Sequence, residues 1–163
     1  MAFDTYIKIE GVEGEATADG FEKQIEIYSF SWGASNPTTI GSGSSGLSAG
    51  KVSISSFNIM KKTEKSSARL FAACCKGDHF PSALVSLRKA TGEGGQGVYL
   101  TYKFTDVMVE SIQWSGSSGG DDTPTESVSL CFAKVDIEYK NQGKDGKLAV
   151  AGQAAWDITK VKA

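Results

Sequence analysis

The chain has 163 residues, 40% of them hydrophobic and 22% charged, with a formal net charge of -2 and a pI near 5.5. That length suits one domain burying roughly two thirds of its unfolded surface, and the composition excludes a disordered chain or a fibrous repeat. The balance gives no basic field for a phosphate backbone, and no run of eighteen apolar residues could cross a membrane, so neither nucleic acid nor a bilayer is an expected partner.

The first ten residues carry Asp4, Lys8 and Glu10 where a cleavable leader needs a basic stretch and an apolar core. No signal segment is expected there. Phe3, Thr5, Ile7 and Ile9 alternate with those charges, as a half-buried strand requires. Residues 24–33 read as a second strand, with Ile25 and Ile27 on one face and Tyr28, Phe30 and Trp32 on the other. Residues 51–62 follow, with Val52, Ile54 and Met60 opposite Phe57 and Ile59, and an environment that changes midway.

Only one short segment reads as a helix, about three turns at most: Ser66 or Ser67 can cap it, Leu70, Phe71, Cys74 and Cys75 follow at helical spacing, and Gly77 suits a left-handed stop. Residues 83–89 and the long, proline-free stretch 98–114 are further strands. Across 126–139 the apolar phase switches from Val128, Leu130 and Phe132 to Val135, Ile137 and Tyr139, which predicts a bulge near Ala133 and Lys134. Trp156 and Ile158 suggest a last strand over 155–161. At least seven strands and one short helix predict a mainly β chain, an antiparallel β-barrel or sandwich with the helix packed outside, and no linker divides residues 1–163. Three Gly/Ser-rich stretches, 41–50, 92–97 and 115–120, read as mobile connections.

Several chemical motifs match by letter and fail by context. Residues 41–46 and 92–97 both fit G-x-G-x-x-G, but each leads into a β-rich segment where a nucleotide site needs a helix N-terminus. Ser48 and Ser118 each fit the nucleophile-elbow pattern without the strand-to-helix turn, and His79 is the single histidine for any base. His79 is expected to help close the helix end. Cys74, Cys75 and His79 leave a metal without a fourth ligand, and adjacent helical cysteines diverge, so core packing is their expected role. With Cys131 they make an odd count, expected as reduced thiols. Asp121, Asp122 and Glu126 lack the alternation of a calcium loop and read as a solvated turn. No catalytic residue, cofactor or metal is expected.

The order of features resembles a known family. Asp4-Thr5-Tyr6-Ile7-Lys8-Ile9, Val12 and Gly14-Glu15, then Ser31-Trp32-Gly33, then a Gly/Ser-rich loop ending in Ala49-Gly50-Lys51-Val52, are similar to the Hcp proteins, the tube subunits of type VI secretion. Lys65-Ser66, Leu70, Ala73-Cys74, Gly77 and His79 resemble the family's helix and its exit, and Leu87-Arg88-Lys89-Ala90 with Gly92 follow in order. Glu126, Val128, Leu130, Phe132-Ala133 and Val135 resemble its late strand, and Trp156-Asp157-Ile158 its last one. Two departures are Phe30, where many members carry tryptophan, and Ala155, where many carry glycine.

The resemblance implies a β-barrel of two sheets with a helix on one side, six copies closing into a ring, and rings stacking into a hollow tube. It implies partners: further copies of the chain, a spike protein at the tube tip, a contractile sheath, and small secreted effectors held in the lumen. It implies assembly in the cytoplasm and secretion without a leader, and, with no further domain expected after residue 163, the plain structural form. Ser31 is the residue assigned to the lumen, because Phe30 and Trp32 flank it on the opposite parity. The connection from Asn36 to Gly50 is assigned to ring stacking, through Gly41, Ser42, Gly43, Ser44, Ser45, Gly46, Leu47 and Ser48, with Lys51 at its root. A phage tail-tube protein, a serine hydrolase and a monomeric secreted binding module are the competing readings.

Overall fold

The computed structural model describes residues 3–40, 47–91, 94–120 and 122–163. Among them the chain forms β1 (Asp4–Ile9), β2 (Ile25–Ile27), β3 (Ser29–Ser31), β4 (Ala34–Ser35), β5 (Thr38–Ile40), β6 (Leu47–Ala49), β7 (Ser53–Ile54), β8 (Phe57–Lys62), α1 (Ser66–Lys76), β9 (His79–Ala90), β10 (Gln96–Ser115), β11 (Thr125–Gln142) and β12 (Leu148–Asp157). Eight of the strands form one antiparallel sheet in the order β2-β1-β9-β10-β11-β8-β3, with β12 beside β11. Its two ends, β2 and β3, are neighbours in sequence. The chain itself therefore brings the edges together, and the sheet curls into a nearly closed barrel, with β12 paired on one side only.

The expected single strand over 24–33 is broken at Tyr28, and the break has a reason. Ile25 and Ile27 are buried opposite β1, whereas Phe30 and Trp32 lean on the core from a segment paired with β8. Both sets must point inward, yet they differ in parity. Giving Tyr28 to neither ladder, with its N–H donating to the Met60 carbonyl at 2.8 Å, resets the phase and turns the barrel corner.

A second reset lies in β10 and β11. Phe104 and Val107 are both buried, as are Phe132 and Val135 on the facing strand. Thr105↔Lys134 and Val107↔Phe132 keep one register across the gap, so no extra residue is inserted near Ala133 and the expected bulge does not form. Asp106 instead takes a left-handed backbone, φ 54°, opposite Ala133, whose carbonyl turns to accept from Ile158. Both strands change face together and both halves keep addressing one core. A register shift of the bulge kind does occur nearby, between Val109 and Ser111.

The last strand comes earlier than expected, at Leu148–Asp157. Residues 158–162 form a turn, fastened by the Asp157 carboxylate, which accepts from the Thr159 amide (2.9 Å), the Thr159 hydroxyl (2.6 Å) and the Lys160 amide (3.0 Å). Those bonds hold the Asp157 carboxyl below its usual range, the Thr159 hydroxyl contributing most.

Helix α1 buries Leu70 and Ala73 against the core and stops at Gly77, φ 70°, whose N–H returns to the Ala73 carbonyl. Its start differs from expectation, since neither Ser66 nor Ser67 caps it. Glu64 lies just ahead of the first turn, where a carboxylate satisfies free N–H groups and suits the dipole, and it accepts from the Ser66 amide at 2.8 Å and from the Ser66 hydroxyl. The other Glu64 oxygen accepts from the Glu15 amide at 2.7 Å. Ser67 turns inward and donates to Glu126 while accepting from Lys61 Nζ at 3.1 Å. Lys61 Nζ meets Glu126 Oε1 at 3.0 Å, with both side chains fully buried. Glu126 is therefore an internal ion-pair partner and not part of a solvated acidic turn.

His79 opens β9 opposite Met108, so it stands in a strand instead of closing the helix. Cys74 is half-buried, but Cys75 is exposed and takes no core position; both are free thiols, as is Cys131.

Residues 34–40 pair with residues 47–54 in two short ladders separate from the main sheet, a two-stranded ribbon. β4 pairs with β7 and β5 with β6. Between the two ladders, Gly50 donates to the Asn36 side chain (2.9 Å) and the Pro37 carbonyl (2.8 Å). A Cβ on Gly50 would sit 2.6 Å from Pro37 Cγ and 2.9 Å from its carbonyl oxygen. Gly50→Ala is therefore expected to open this clamp, and hydrogen exchange should show lost protection in the β5–β6 amides with the barrel amides unchanged.

Candidate functional site

The β3–β8–β11–β10 wall has one face on the core and one open to solvent, the division an antiparallel sheet permits. Inward go Phe57, Ile59, Lys61, Glu126, Val128 and Leu130. The alternate positions line up outside by register. Ser31, Asn58, Ser129 and Ser111 form one row across four strands, and Ser29, Met60, Ser127 and Gln113 form the next. A third, shorter row is Lys62, Thr125 and Ser115.

Ser31 is exposed and heads its row, where its carbonyl accepts from Asn58 Nδ2 at 3.5 Å. Asn58 Oδ1 accepts from the Ser129 hydroxyl, so the amide spans the row and is held flat along the sheet. Phe30 and Trp32 turn the other way, onto a ring cluster with Phe57, Tyr102, Phe104 and Phe132 at centroid distances of 5.2–6.4 Å. Stacked and edge contacts of that kind fix β3 from beneath.

The two central rows contain no ionisable group. Short hydroxyl and amide side chains gain little net free energy from a hydrogen bond that water offers equally well, and they project little. Such a wall can touch a protein surface without gripping it. The other outward wall, on β9 to β12, differs: Leu84, Thr101, Lys103, Lys134, Asp136, Glu138 and Gln153 line a shallow groove of mixed charge.

Of the other residues singled out in the sequence, Lys51 is exposed between the two ladders of the ribbon. Leu47 and Ser48 belong to β6, and Gly41, Ser42, Gly43, Ser44, Ser45 and Gly46 lie outside the described residues. The structure therefore keeps Ser31 on the wall and Lys51 on the ribbon, in separate places. Ser118 lies in the exposed connection after β10, which leads into another strand, and residues 94–95 lead into β10, whose first two residues are Gln96 and Gly97. Asp121 is outside the described residues, and among those described no His, Cys, Asp and Glu cluster could hold a metal. No described helix is long and apolar enough to cross a membrane.

The sequence reading missed Ser29, Asn58, Ser111, Gln113, Ser127 and Ser129. For Asn58, Ser127 and Ser129 the signal was present in β8 and β11, where each stands between two buried side chains.

Residues 6–139 match the family model described as type VI secretion system effector, Hcp. The chain is 39% identical over 146 residues to protein hcp1 of Pseudomonas aeruginosa, covering 90% of this chain and 88% of that protein. A solved type six secretion system protein superposes with a TM-score of 0.92 at 37% identity, covering 99% of both chains. Hcp1 from Salmonella typhimurium gives 0.78 at 31% identity, again over 99% of each. A barrel of this topology, matched along nearly its whole length, places the chain in the Hcp family of secreted type VI tube proteins, which are structural and not enzymes.

Proposed function

We propose that residues 1–163 act as one unit, that six copies close into a ring with the Ser31 wall facing the opening, and that rings stack into the inner tube. The observation that carries this is the pair of uncharged rows headed by Ser31 and Ser29. A conduit needs an inner surface over which cargo can dock and still slide, and short hydroxyls provide it. Ring closure would also join like subunits through heterologous contacts, each presenting one surface to the next. The exposed apolar side chains Tyr139, Val150 and Ile158 on the β11–β12 flank offer area for that contact.

The paired segments 34–40 and 47–54 support stacking, since their two ladders are separate from the main sheet, with Lys51 between them. Bulky charge introduced into residues 41–50 is expected to weaken stacking. Small effectors are then held in the lumen, a spike protein caps the tube, and contraction of an outer sheath drives both outward. The subunit is made in the cytoplasm and leaves with the tube.

Ser31→Gln is the direct test. The longer amide should leave ring formation intact in micrographs while effector export and effector stability fall. Normal export and cargo stability in that variant would remove Ser31 from the lumen, and compact particles without annuli at every concentration would favour a monomeric binding module.

A further inference from the structure

The Ser31 wall is hydroxyl-rich, but one of its eight central positions is apolar. Met60 lies in the second row between Ser29 and Ser127, and it is 38% exposed. Its strand neighbours Ile59 and Lys61 are buried, so Met60 is turned fully toward the outer face. Next along that face Lys62 places its ammonium 5.7 Å from the Tyr28 ring, closing the margin of the wall beyond Met60.

Hydroxyls and amides that exchange water bonds for protein bonds yield little net affinity, so a wall made only of them would retain nothing. Apolar area removed from water does yield affinity, and an unbranched thioether adapts its shape to whatever side chain meets it. An apolar point ringed by polar groups is also the pattern of an interface core with its rim, reduced to one residue.

We propose that Met60 is a specificity-determining residue for cargo, selecting exported proteins that present an exposed aliphatic or aromatic side chain, with the serine rows serving as the slippery surround. This rests on the reading that the wall faces the ring opening. Within the two central rows Met60 is the single apolar side chain, which fits an isolated apolar residue on a folded protein and not an apolar helix. Closing the ring would repeat that point in every subunit, so a cargo with several apolar contacts gains by multivalency while each contact stays weak enough to slip.

The test uses assembled rings and two fluorescent Gly/Ser-rich peptides that differ only in a central Leu or Ser. Fluorescence anisotropy should show the Leu peptide binding about fivefold to tenfold tighter, the effect of partly burying one aliphatic side chain. Met60→Thr and Met60→Gln, both checked for annuli, should bring the two peptides to within about twofold of each other, and Met60→Leu should keep the preference. A preference that survives both polar variants overturns the role of Met60. A separate arm labels Ser31→Cys with a small gold cluster, in a background carrying Cys74→Ser, Cys75→Ser and Cys131→Ala. Gold within the opening together with an unchanged peptide preference overturns Met60 alone, whereas gold on the outer rim overturns the lumen reading and this proposal with it.

Discussion

Lys61→Met is expected to destabilise the protein by about 3–5 kcal/mol, because it leaves the Glu126 carboxylate buried without its counter-charge. Lys61 Nζ lies 3.0 Å from Glu126 Oε1 and 3.6 Å from Glu64 Oε1, and it donates to Ser67 Oγ and to the Lys62 carbonyl, both at 3.1 Å. One ammonium thus joins β8, β11 and the first turn of α1. The double variant Lys61→Met/Glu126→Leu removes both charges and should recover most of the loss, since a buried ion pair contributes little beyond what apolar residues of similar volume supply. Urea midpoints at fixed protein concentration measure this, the concentration mattering because assembly would shift apparent stability. Equal stability of Lys61→Met and wild type would show that the site takes up water instead of remaining dry.

Phe57→Ala should cost a similar amount, about 3–5 kcal/mol, by the lost burial of the ring and the cavity it leaves. Phe57 is wholly buried and touches Phe30 (5.6 Å between centroids), Trp32 (6.4 Å), Tyr102 (6.1 Å) and Phe104 (4.9 Å). Two of those, Phe30 and Trp32, flank Ser31 in sequence. The variant should therefore loosen β3 as well as lower the midpoint, which would appear as faster exchange of the β3 amides than of the β1 amides. Uniform exchange in both strands would mean that β3 is held by its ladder and not by the rings below it.

Strand content, the helix and the exposed place of Ser31 were legible because each depends on local alternation or spacing. Val128, Leu130 and Phe132 against Ser127, Ser129 and Cys131 is a period of two that needs no distant partner to interpret. The strand breaks were harder to place. Tyr28 and Asp106 interrupt regular segments where the barrel turns or a facing pair changes side, and such a demand comes from tertiary closure, which a local pattern records only as a phase conflict. The ends of β12 fell in the wrong place for a related reason: Trp156 and Ile158 share parity, yet Asp157 gathers three hydrogen bonds and turns the chain between them.

The buried charges were missed because charge was read as exposure. Lys61 has the parity of Phe57 and Ile59, and Glu126 that of Val128 and Leu130, so the alternation itself assigned both to the interior. They also face each other in register. A charged residue at core parity in each of two strands is the pattern that would have predicted the pair. Glu64 was overlooked as the acceptor at the helix start because serine is the commoner choice, although a carboxylate just before the first turn suits the dipole.

The left-handed backbone at Asp106, set opposite Ala133, has an effect on variation as well as on geometry. Because β10 and β11 reverse their facing there together, the outward side chains of β11 before and after that point belong to opposite parities, while in β10 the register shift between Val109 and Ser111 brings the outward parity back. Ser111, Gln113, Ser127 and Ser129 on one stretch, and Lys103, Lys134, Asp136 and Glu138 on the other, share no position. A lineage could rewrite the charges on the second stretch residue by residue without once disturbing the serine rows, so the two surfaces are free to answer to different selective pressures.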